Sequence, residues 1–199
     1  MRAVYWSINR SWEAYIEGSV GPSDFMRTPF GAAYQIVTIE GKGRGIIASR
    51  DIAAGEVVLR ETPVLVAPID SSNFLLFLLL PQKAIEAVPL LHNAHPQERP
   101  FSLRQDIPLH RLLDIFSGIM STNSFGVTAT NCQIGILLLT GSLFNHSDTP
   151  NVARTWDAEK EQEIFVSLRD IKKGEELVHD YVPGVQGRTR REKLKQYGI

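Results

Sequence analysis

The sequence predicts a mainly β domain of the α+β class, with a helical insert and a short helix at its C-terminal end. Apolar and β-branched residues between Tyr34 and Ala67 occur in short runs that glycine and proline interrupt, which is the usual pattern of strands. The same pattern returns after Cys132. The segment between these two regions has helical spacing instead.

The first strands lie on either side of a glycine-rich turn. Apolar residues at 36–39 precede the sequence GKGRG at 41–45, and further apolar runs follow at 57–59 and 64–66. We predict a β-hairpin with GKGRG as its turn. It matches neither phosphate-loop pattern, because no helix follows and no Ser or Thr follows a lysine at the required position.

The middle of the chain is predicted to be helical. Leucine and phenylalanine recur at three- and four-residue spacing after Pro108, which predicts a helix from about Pro108 to Met120. Residues 71–73 are suited to cap a short helix ending near Pro81, and residues 82–88 could continue as another. We therefore interpret 71–120 as a helical insert.

Strands are expected again at 134–139, 152–156 and 164–168, with a hairpin loop at 157–163. The pattern RDI, two residues, then GE occurs at both 50–56 and 169–175. Five identities are too few to establish a duplication. We interpret both copies as one type of strand-exit turn in which glycine supplies a positive φ.

The C-terminal residues 184–199 form a basic segment, with five Lys or Arg residues against one Glu. Thr189 and Glu192 match a capping box, which predicts a short helix starting there. We expect its charges to form a solvated face rather than a dedicated binding patch.

The composition restricts the class of protein. The chain has 199 residues, 43% of them hydrophobic, and a formal net charge of -1, which fits one globular domain. No overall positive field exists, so direct nucleic-acid binding is not expected.

The single cysteine, Cys132, excludes an intrachain disulfide and a cysteine-based zinc site within this chain. The longest strongly apolar run, Phe74 to Leu80, is too short for a membrane helix, and no secretory signal is recognisable. We expect an intracellular protein of the nucleus or cytoplasm, with no membrane partner. His92 and His95 alone are a weak metal pattern, and no metal is predicted.

Four segments carry the residues suited to a functional site. They are GKGRG at 41–45, TNSFG at 122–126, SLFNHS at 142–147 with PN at 150–151, and GEELVHDY at 174–181. The small polar residues 145–147 follow an apolar pair. Their side chains must therefore either form hydrogen bonds inside the protein or line a site. For His146 alone, a core imidazole bonded to the backbone is the alternative.

In order and spacing these segments resemble the SET-domain lysine methyltransferases, and within them the subgroup whose SET domain is split by a MYND finger. The resemblance covers roughly residues 35–185. It implies a SET-type fold of small β-sheets, in which a threaded C-terminal segment brings Asn145 and His146 beside Tyr181. The corresponding domains are an N-terminal extension at 1–33 packed on the domain, a SET domain at 34–183 containing the insert, and the basic helix at 184–199.

The resemblance also implies the cofactor, S-adenosyl-L-methionine, and a role for particular residues. The backbone of the hairpin turn would hold the methionine end of the cofactor through Lys42, Gly43, Arg44 and Gly45. Four polar residues would bond its amino-acid and adenine portions, namely Asn123, Ser142, Asn145 and His146. Phe125 would be a wall of the lysine channel, and Tyr181 would be the catalytic tyrosine at that channel.

Methyl transfer from a sulfonium to an amine is an in-line displacement. The protein must supply alignment, a dry channel and oxygen dipoles around the methyl group. Because the lysine loses its proton through desolvation and the nearby positive sulfur, no carboxylate base is needed. We therefore expect Asp180 to be structural, and Glu175 and Glu176 to be turn and surface residues.

The chain departs from the family in one region. Members commonly have a cysteine after the NHS triplet and a zinc-binding Cys-rich segment that completes the lysine channel, whereas this chain has Asp148 and no such cysteines. It also lacks the cysteines of a MYND finger between Ala67 and Met120. Four explanations are open: the insert and tail complete the channel, a partner chain does, catalysis is weak, or the sequence is a truncated piece of a longer protein.

The predicted function is a protein-lysine N-methyltransferase that acts on a histone or another protein, as a chromatin regulator. The substrate would be a protein or peptide bearing a lysine. The alternative is a catalytically weak, SET-derived module that binds proteins or peptides.

Overall fold

The computed structural model describes residues 28–68, 76–77, 80, 84, 87–95, 109–129 and 132–199. Short strands dominate these residues, as predicted. The strands are β1 (Tyr34–Ile39), β2 (Gly43–Ala48), β3 (Val57–Glu61), β4 (Leu65–Pro68), β5 (Ser124–Ala129), β6 (Cys132–Leu137), β7 (Asn145–His146), β8 (Val152–Asp157), β9 (Gln162–Ser167) and β10 (Val178–His179). The α-helices are α1 (Leu109–Asn123) and α2 (Gly187–Leu194), and 3-10 turns occur at Val88–Leu90, Gly141–Leu143 and Lys195–Tyr197.

The strands form four small sheets. The pair β1-β2 is an antiparallel hairpin, and two three-stranded antiparallel sheets have the orders β3-β9-β8 and β4-β6-β5. Phe144 and Phe165 stack in the core with ring centroids 4.6 Å apart. None of the helices in the described parts of the chain is long and apolar enough to cross a membrane.

The glycine-rich hairpin is confirmed. Val37 lies opposite Gly45 in the β1-β2 register, and the N–H of Lys42 donates to the carbonyl of Ile39 at 3.1 Å. Gly41 and Gly43 have φ values of 73° and 77°, a region that only glycine enters without strain.

The fourth sheet is the parallel pair β7 and β10, which joins two of the predicted motifs. Asn145 pairs with Val178 and His146 pairs with His179. The side chain of Asn151 extends this pairing, because its Oδ1 accepts the N–H of Val178 at 2.9 Å. The expected proximity of residues 145–146 to the segment that ends at Tyr181 is therefore present.

Helix α1 ends three residues later than predicted. The hydroxyl of Thr122 donates to the carbonyl of Gly118 at 2.8 Å, and the amide of Asn123 donates to the carbonyl of Ile119 at 2.7 Å. Both side chains therefore bond back into the preceding turn, and Thr122 and Asn123 belong to the end of the helix rather than to the strand that follows it. The predicted cap at 71–73, the end near Pro81 and most of 82–88 lie outside the described residues, as do residues 1–27 of the predicted N-terminal extension.

The two RDI-GE turns have the same conformation and pair with each other. Gly55 and Gly174 have φ values of 80° and 85°, which confirms the positive φ predicted for both. Ile52 and Ile171 exchange two backbone hydrogen bonds of 2.9 Å. The second copy leads directly into β10.

The C-terminal helix exists, but its predicted cap is wrong. Helix α2 begins at Gly187 with Gln186 as its N-cap residue and no side-chain cap, so Thr189 lies inside the helix. Gly184 and Gly187 have φ values of 75° and 62°. These glycines turn the chain early and start the helix before the capping-box residues.

Candidate active site

The four predicted segments converge on one cavity of about 670 Å³. Residues from the β1-β2 turn, the end of α1, the β6-β7 connection and the segment after β10 line it. The predicted residues on its wall are Lys42, Gly43, Arg44, Asn123, Phe125, Ser142, Asn145, His146 and Tyr181. Gly45 lies behind the wall.

One part of the cavity wall is polar and centres on Asn145; we call it the polar end. Its Nδ2 donates to the carbonyl of Arg44 at 3.2 Å and to Oε1 of Glu176 at 2.9 Å. The other carboxylate oxygen of Glu176 lies 2.7 Å from Nζ of Lys42. Glu176 is 23% exposed, so its assignment as a surface residue is corrected: it connects Asn145 to the hairpin turn.

Position 45 requires a glycine, because the side chains of Ile39 and Asn145 lie very close to its backbone. A Cβ atom at this position would lie 2.3 Å from Cδ1 of Ile39 and 2.7 Å from Nδ2 of Asn145. Gly45 therefore lets the Asn145 amide lie against the β1-β2 hairpin, which is a packing role behind the cavity wall.

Asn123 and Ser142 hold the wall together through internal bonds. The Nδ2 of Asn123 donates to the carbonyls of His92 at 2.6 Å and Ile119 at 2.7 Å. The hydroxyl of Ser142 donates to the carbonyl of Leu138 at 2.5 Å. Both amide hydrogens of Asn123 are thus committed to the protein, which leaves its Oδ1 for a ligand.

The turn that precedes β7 is held by the buried carboxylate of Glu61. Its oxygens accept the N–H groups of Leu139, Thr140 and Gly141 at 2.8, 2.9 and 2.7 Å. Burial raises the pKa of Glu61, and the three backbone bonds oppose that rise. Sequence reasoning missed Glu61, because its partners lie about 80 residues further along the chain.

Another part of the cavity wall is aromatic and centres on Tyr181; we call it the aromatic end. Its hydroxyl donates to the carbonyl of Phe144 at 2.9 Å, and burial raises its pKa above the usual value. The hydroxyl therefore keeps its proton, directs it to Phe144, and leaves its oxygen lone pairs as acceptors.

His146 supports the backbone of Tyr181. Its Nδ1 accepts the N–H of Tyr181 at 3.2 Å, and its Nε2 lies 3.4 Å from Oδ1 of Asp148. His146 therefore bonds the backbone and also lies on the cavity wall. Asp180 accepts the N–H of Val182 at 2.9 Å, a structural contact of the kind expected.

Three further residues at the aromatic end were not predicted. His179 is buried, and its burial lowers its pKa to about 3. The guanidinium carbon of Arg154 lies 5.0 Å from the ring centre of Phe125, and the ring of Tyr197 packs edge-on against Tyr181 with centroids 4.9 Å apart. All three residues line the cavity.

The sequence contains a pattern that could have identified His179 as a cavity residue, but none for Arg154 or Tyr197. Residues 179 and 181 are two apart in an extended segment, so they point to the same side. Arg154 and Tyr197 reach the cavity only through long-range packing. Among the residues that the structure describes, no group of three or more His, Cys, Asp or Glu side chains is arranged to hold a metal ion.

Comparison with curated proteins gives two relatives. The chain is 30% identical over 162 residues to the histone-lysine N-methyltransferase set5 of Schizosaccharomyces pombe, covering 81% of this chain and 46% of that protein. It is 27% identical over 188 residues to a putative SET domain-containing protein of Acanthamoeba polyphaga mimivirus, covering 82% and 73%. The chain thus spans about half the length of the yeast relative.

Solved structures include two of similar fold. One is CpSET8 from Cryptosporidium, at 21% identity and a TM-score of 0.46, covering 78% of this chain and 59% of that one. The other is the SET domain of LSMT bound to lysine and AdoHcy, at 11% identity and a TM-score of 0.49, covering 91% and 55%. At these sequence identities and TM-scores, the activities of the two proteins are not transferred to this chain.

The family model named SET domain matches residues 43–182. This range includes the second strand of the glycine-rich hairpin, the Asn145 network and Tyr181. The chain therefore belongs to the SET domain family.

Proposed function

We propose that this protein is an S-adenosylmethionine-dependent protein-lysine N-methyltransferase. The observation that carries the proposal is one cavity whose wall brings together the hairpin turn, Asn145 and Tyr181. Membership of the SET domain family and the name of the yeast relative support it.

The cavity suits the cofactor in size and in chemistry. Sites for small molecules have volumes of about 300–1,000 Å³, a range that includes this one. Lys42, Gly43, Arg44 and Asn145 would hold the amino-acid end, with Glu176 fixing Asn145 and Lys42 in place. When bound, S-adenosylmethionine supplies an activated methyl group on a positive sulfur.

Tyr181 would act on the methyl group in transit. Its hydroxyl proton is engaged by the carbonyl of Phe144, so its lone pairs are free to accept weak C–H···O contacts from a polarised methyl group. Such contacts strengthen as positive charge develops, which is the condition for catalysis.

The same end of the cavity favours a neutral target amine. Phe125, His179 and Tyr181 line this end, and desolvation disfavours an ammonium group. The positive charge of Arg154 acts in the same direction, since it contributes to the lowered pKa of His179. A lysine entering here would lose its proton without a carboxylate base.

The chain's own tail would complete the lysine channel. Tyr197 lies on the cavity wall against Tyr181, which favours completion by this chain over completion by a partner chain. For the substrate we propose a lysine of a histone or another protein, and for the place of action the nucleus or cytoplasm, with a role in chromatin regulation. The support for the histone is the name of the yeast relative.

The test combines binding with transfer. Purified protein is titrated calorimetrically with S-adenosylmethionine and S-adenosylhomocysteine, then incubated with methyl-labelled cofactor and either core histones or a lysate. We expect binding and labelled lysine in wild type and in Thr149→Ala, an exposed change in the loop after β7, and loss of both in Asn145→Ala. Absence of binding would contradict the proposal, and binding without transfer would favour the interaction module.

A further inference from the structure

The Arg190 side chain joins three segments beside the aromatic end of the cavity. Its Nε and Nη2 donate to Oδ1 of Asp148 at 3.0 and 2.6 Å. Its Nη1 and Nη2 donate to Oδ2 and Oδ1 of Asp180 at 3.1 and 3.0 Å. Nη1 also reaches the carbonyls of Val182 and Val185 at 3.1 and 3.3 Å. We call this group of contacts the Arg190 fork.

The fork connects helix α2 to the residues around Tyr181. Asp180 directly precedes Tyr181, and Asp148 lies beside His146, which accepts the Tyr181 N–H. On the other side, α2 continues into the 3-10 turn that carries Tyr197. One guanidinium therefore links the backbone of Tyr181 to the element that places Tyr197 against its ring.

None of the eight residues of helix α2, all of which the structure describes, is buried, although the 3-10 turn that follows it packs on α1. Arg188 is 87% exposed and pairs with Glu192 of the same helix, whereas the Arg190 side chain is only 18% exposed. A short helix without a buried apolar face depends on specific tertiary contacts, and the fork provides them.

We propose that Arg190 is a positioning residue that acts through Tyr197. The fork fixes α2 against the core, and Tyr197 is thereby held on Tyr181 as the closing wall of the lysine channel. This inference rests on the proposed function only in that closure of the channel assists methyl transfer.

The planar fork explains why this position needs arginine. A guanidinium bonds two carboxylates in fixed directions, whereas a lysine ammonium is a single point charge. Asp148 is 76% exposed and Asp180 is 23% exposed. Salt should weaken the contact to Asp148 more than the contact to Asp180.

The experiment compares Arg190→Gln, Arg190→Lys and Tyr197→Ala, with Arg188→Gln as the matched control on the same helix. Hydrogen–deuterium exchange of residues 187–199 reports the position of the tail without requiring activity. We expect exchange there to rise about tenfold in Arg190→Gln, less in Arg190→Lys, and not at all in the control. Melting temperature verifies that each variant is folded, and Asp148→Ala removes only the exposed contact should Arg190→Gln fail to fold.

Kinetics test whether Arg190 acts through Tyr197. We expect Arg190→Gln to raise KM for the lysine substrate about tenfold more than it changes kcat, as loss of a channel wall would. The double variant Arg190→Gln/Tyr197→Ala should be no worse than Tyr197→Ala, because coupled residues are not additive. Additive effects, or wild-type exchange in Arg190→Gln, would overturn the inference. A wild-type protein without methyl transfer would overturn the proposed function, while exchange would still report on the fork.

Discussion

The two ends of the cavity are stabilised by different physical means. At the polar end, each group has an assigned partner: the Asn145 amide bonds the Arg44 carbonyl and Glu176, and Glu176 bonds Lys42. At the aromatic end, rings pack on one another around Tyr181, and the hydrogen bonds mainly fix their orientation.

The difference separates two tasks. Hydrogen bonds have strict geometry, so the polar end can recognise a fixed set of ligand atoms. Packed rings exclude water and leave few polar partners, which suits a step that needs a neutral amine and a dry site. Changes at the polar end should therefore affect cofactor binding, and changes at the aromatic end should affect transfer.

The largest effect is expected for Tyr181→Phe at the aromatic end. The variant loses the hydroxyl oxygen and leaves the Phe144 carbonyl without its donor. We expect transfer to fall by roughly 100-fold or more while the cofactor Kd changes less than about threefold. Calorimetry and single-turnover transfer measure the two separately. A rate like that of wild type would remove Tyr181 from the reaction.

Gly45→Ala should have the next largest effect, at the polar end. The added Cβ would meet Ile39 and the Asn145 amide at 2.3 and 2.7 Å, and Asn145 must move away. We expect the cofactor Kd to rise by roughly 10- to 100-fold. Gly55→Ala is the control, because Gly55 has a positive φ but open space around it: it should lower stability and leave the Kd unchanged. Equal Kd values in both variants would contradict the packing role.

The aromatic end should also make stability depend on pH through His179. Burial lowers its folded pKa to about 3, below the ordinary value near 6.5. Between these values the unfolded chain binds a proton that the folded protein does not. The free energy of unfolding therefore falls as pH decreases from about 6.5, by up to about 1.4 kcal/mol per pH unit.

Denaturant unfolding at several pH values measures this dependence. We expect His179→Phe to flatten the curve between about pH 6 and pH 4, because the variant has no group to titrate there. An unchanged slope in the variant would show that another group carries the dependence.

The smallest effect is expected for Glu176→Gln. The amide side chain can still accept a hydrogen bond from Asn145 but loses its ion pair with the partly exposed Lys42. Exposed ion pairs contribute little, so we expect the cofactor Kd to rise only about two- to fivefold. Lys42→Gln should give a similar change, and the double variant should add little to either. A rise in the cofactor Kd as large as that expected for Gly45→Ala would mean that the Glu176 carboxylate contacts the cofactor directly.

Local patterns predicted many of the elements but not strand β5, and the family resemblance of the four motifs predicted nine residues of the cavity wall. The glycine-rich hairpin and the two RDI-GE turns depend on residues close in sequence, so strand alternation and glycine positions were sufficient. The hairpin loop predicted at 157–163 is shorter and spans 158–161. The end of α1 was misplaced, because Thr122 and Asn123 bond back into the helix. The start of α2 was misplaced because positive-φ glycines override a capping pattern.

The sequence by itself determined the fold class and the set of motifs. The order of the polar and glycine residues in these motifs indicates a site before any distance between them is known. Tertiary structure alone decided which residues support that site. Glu61, Glu176, Arg154, Arg190 and Tyr197 act on partners brought close by folding. Such contacts leave no periodic trace in the sequence, because a buried carboxylate or guanidinium can be satisfied from any segment that folding brings within hydrogen-bonding distance.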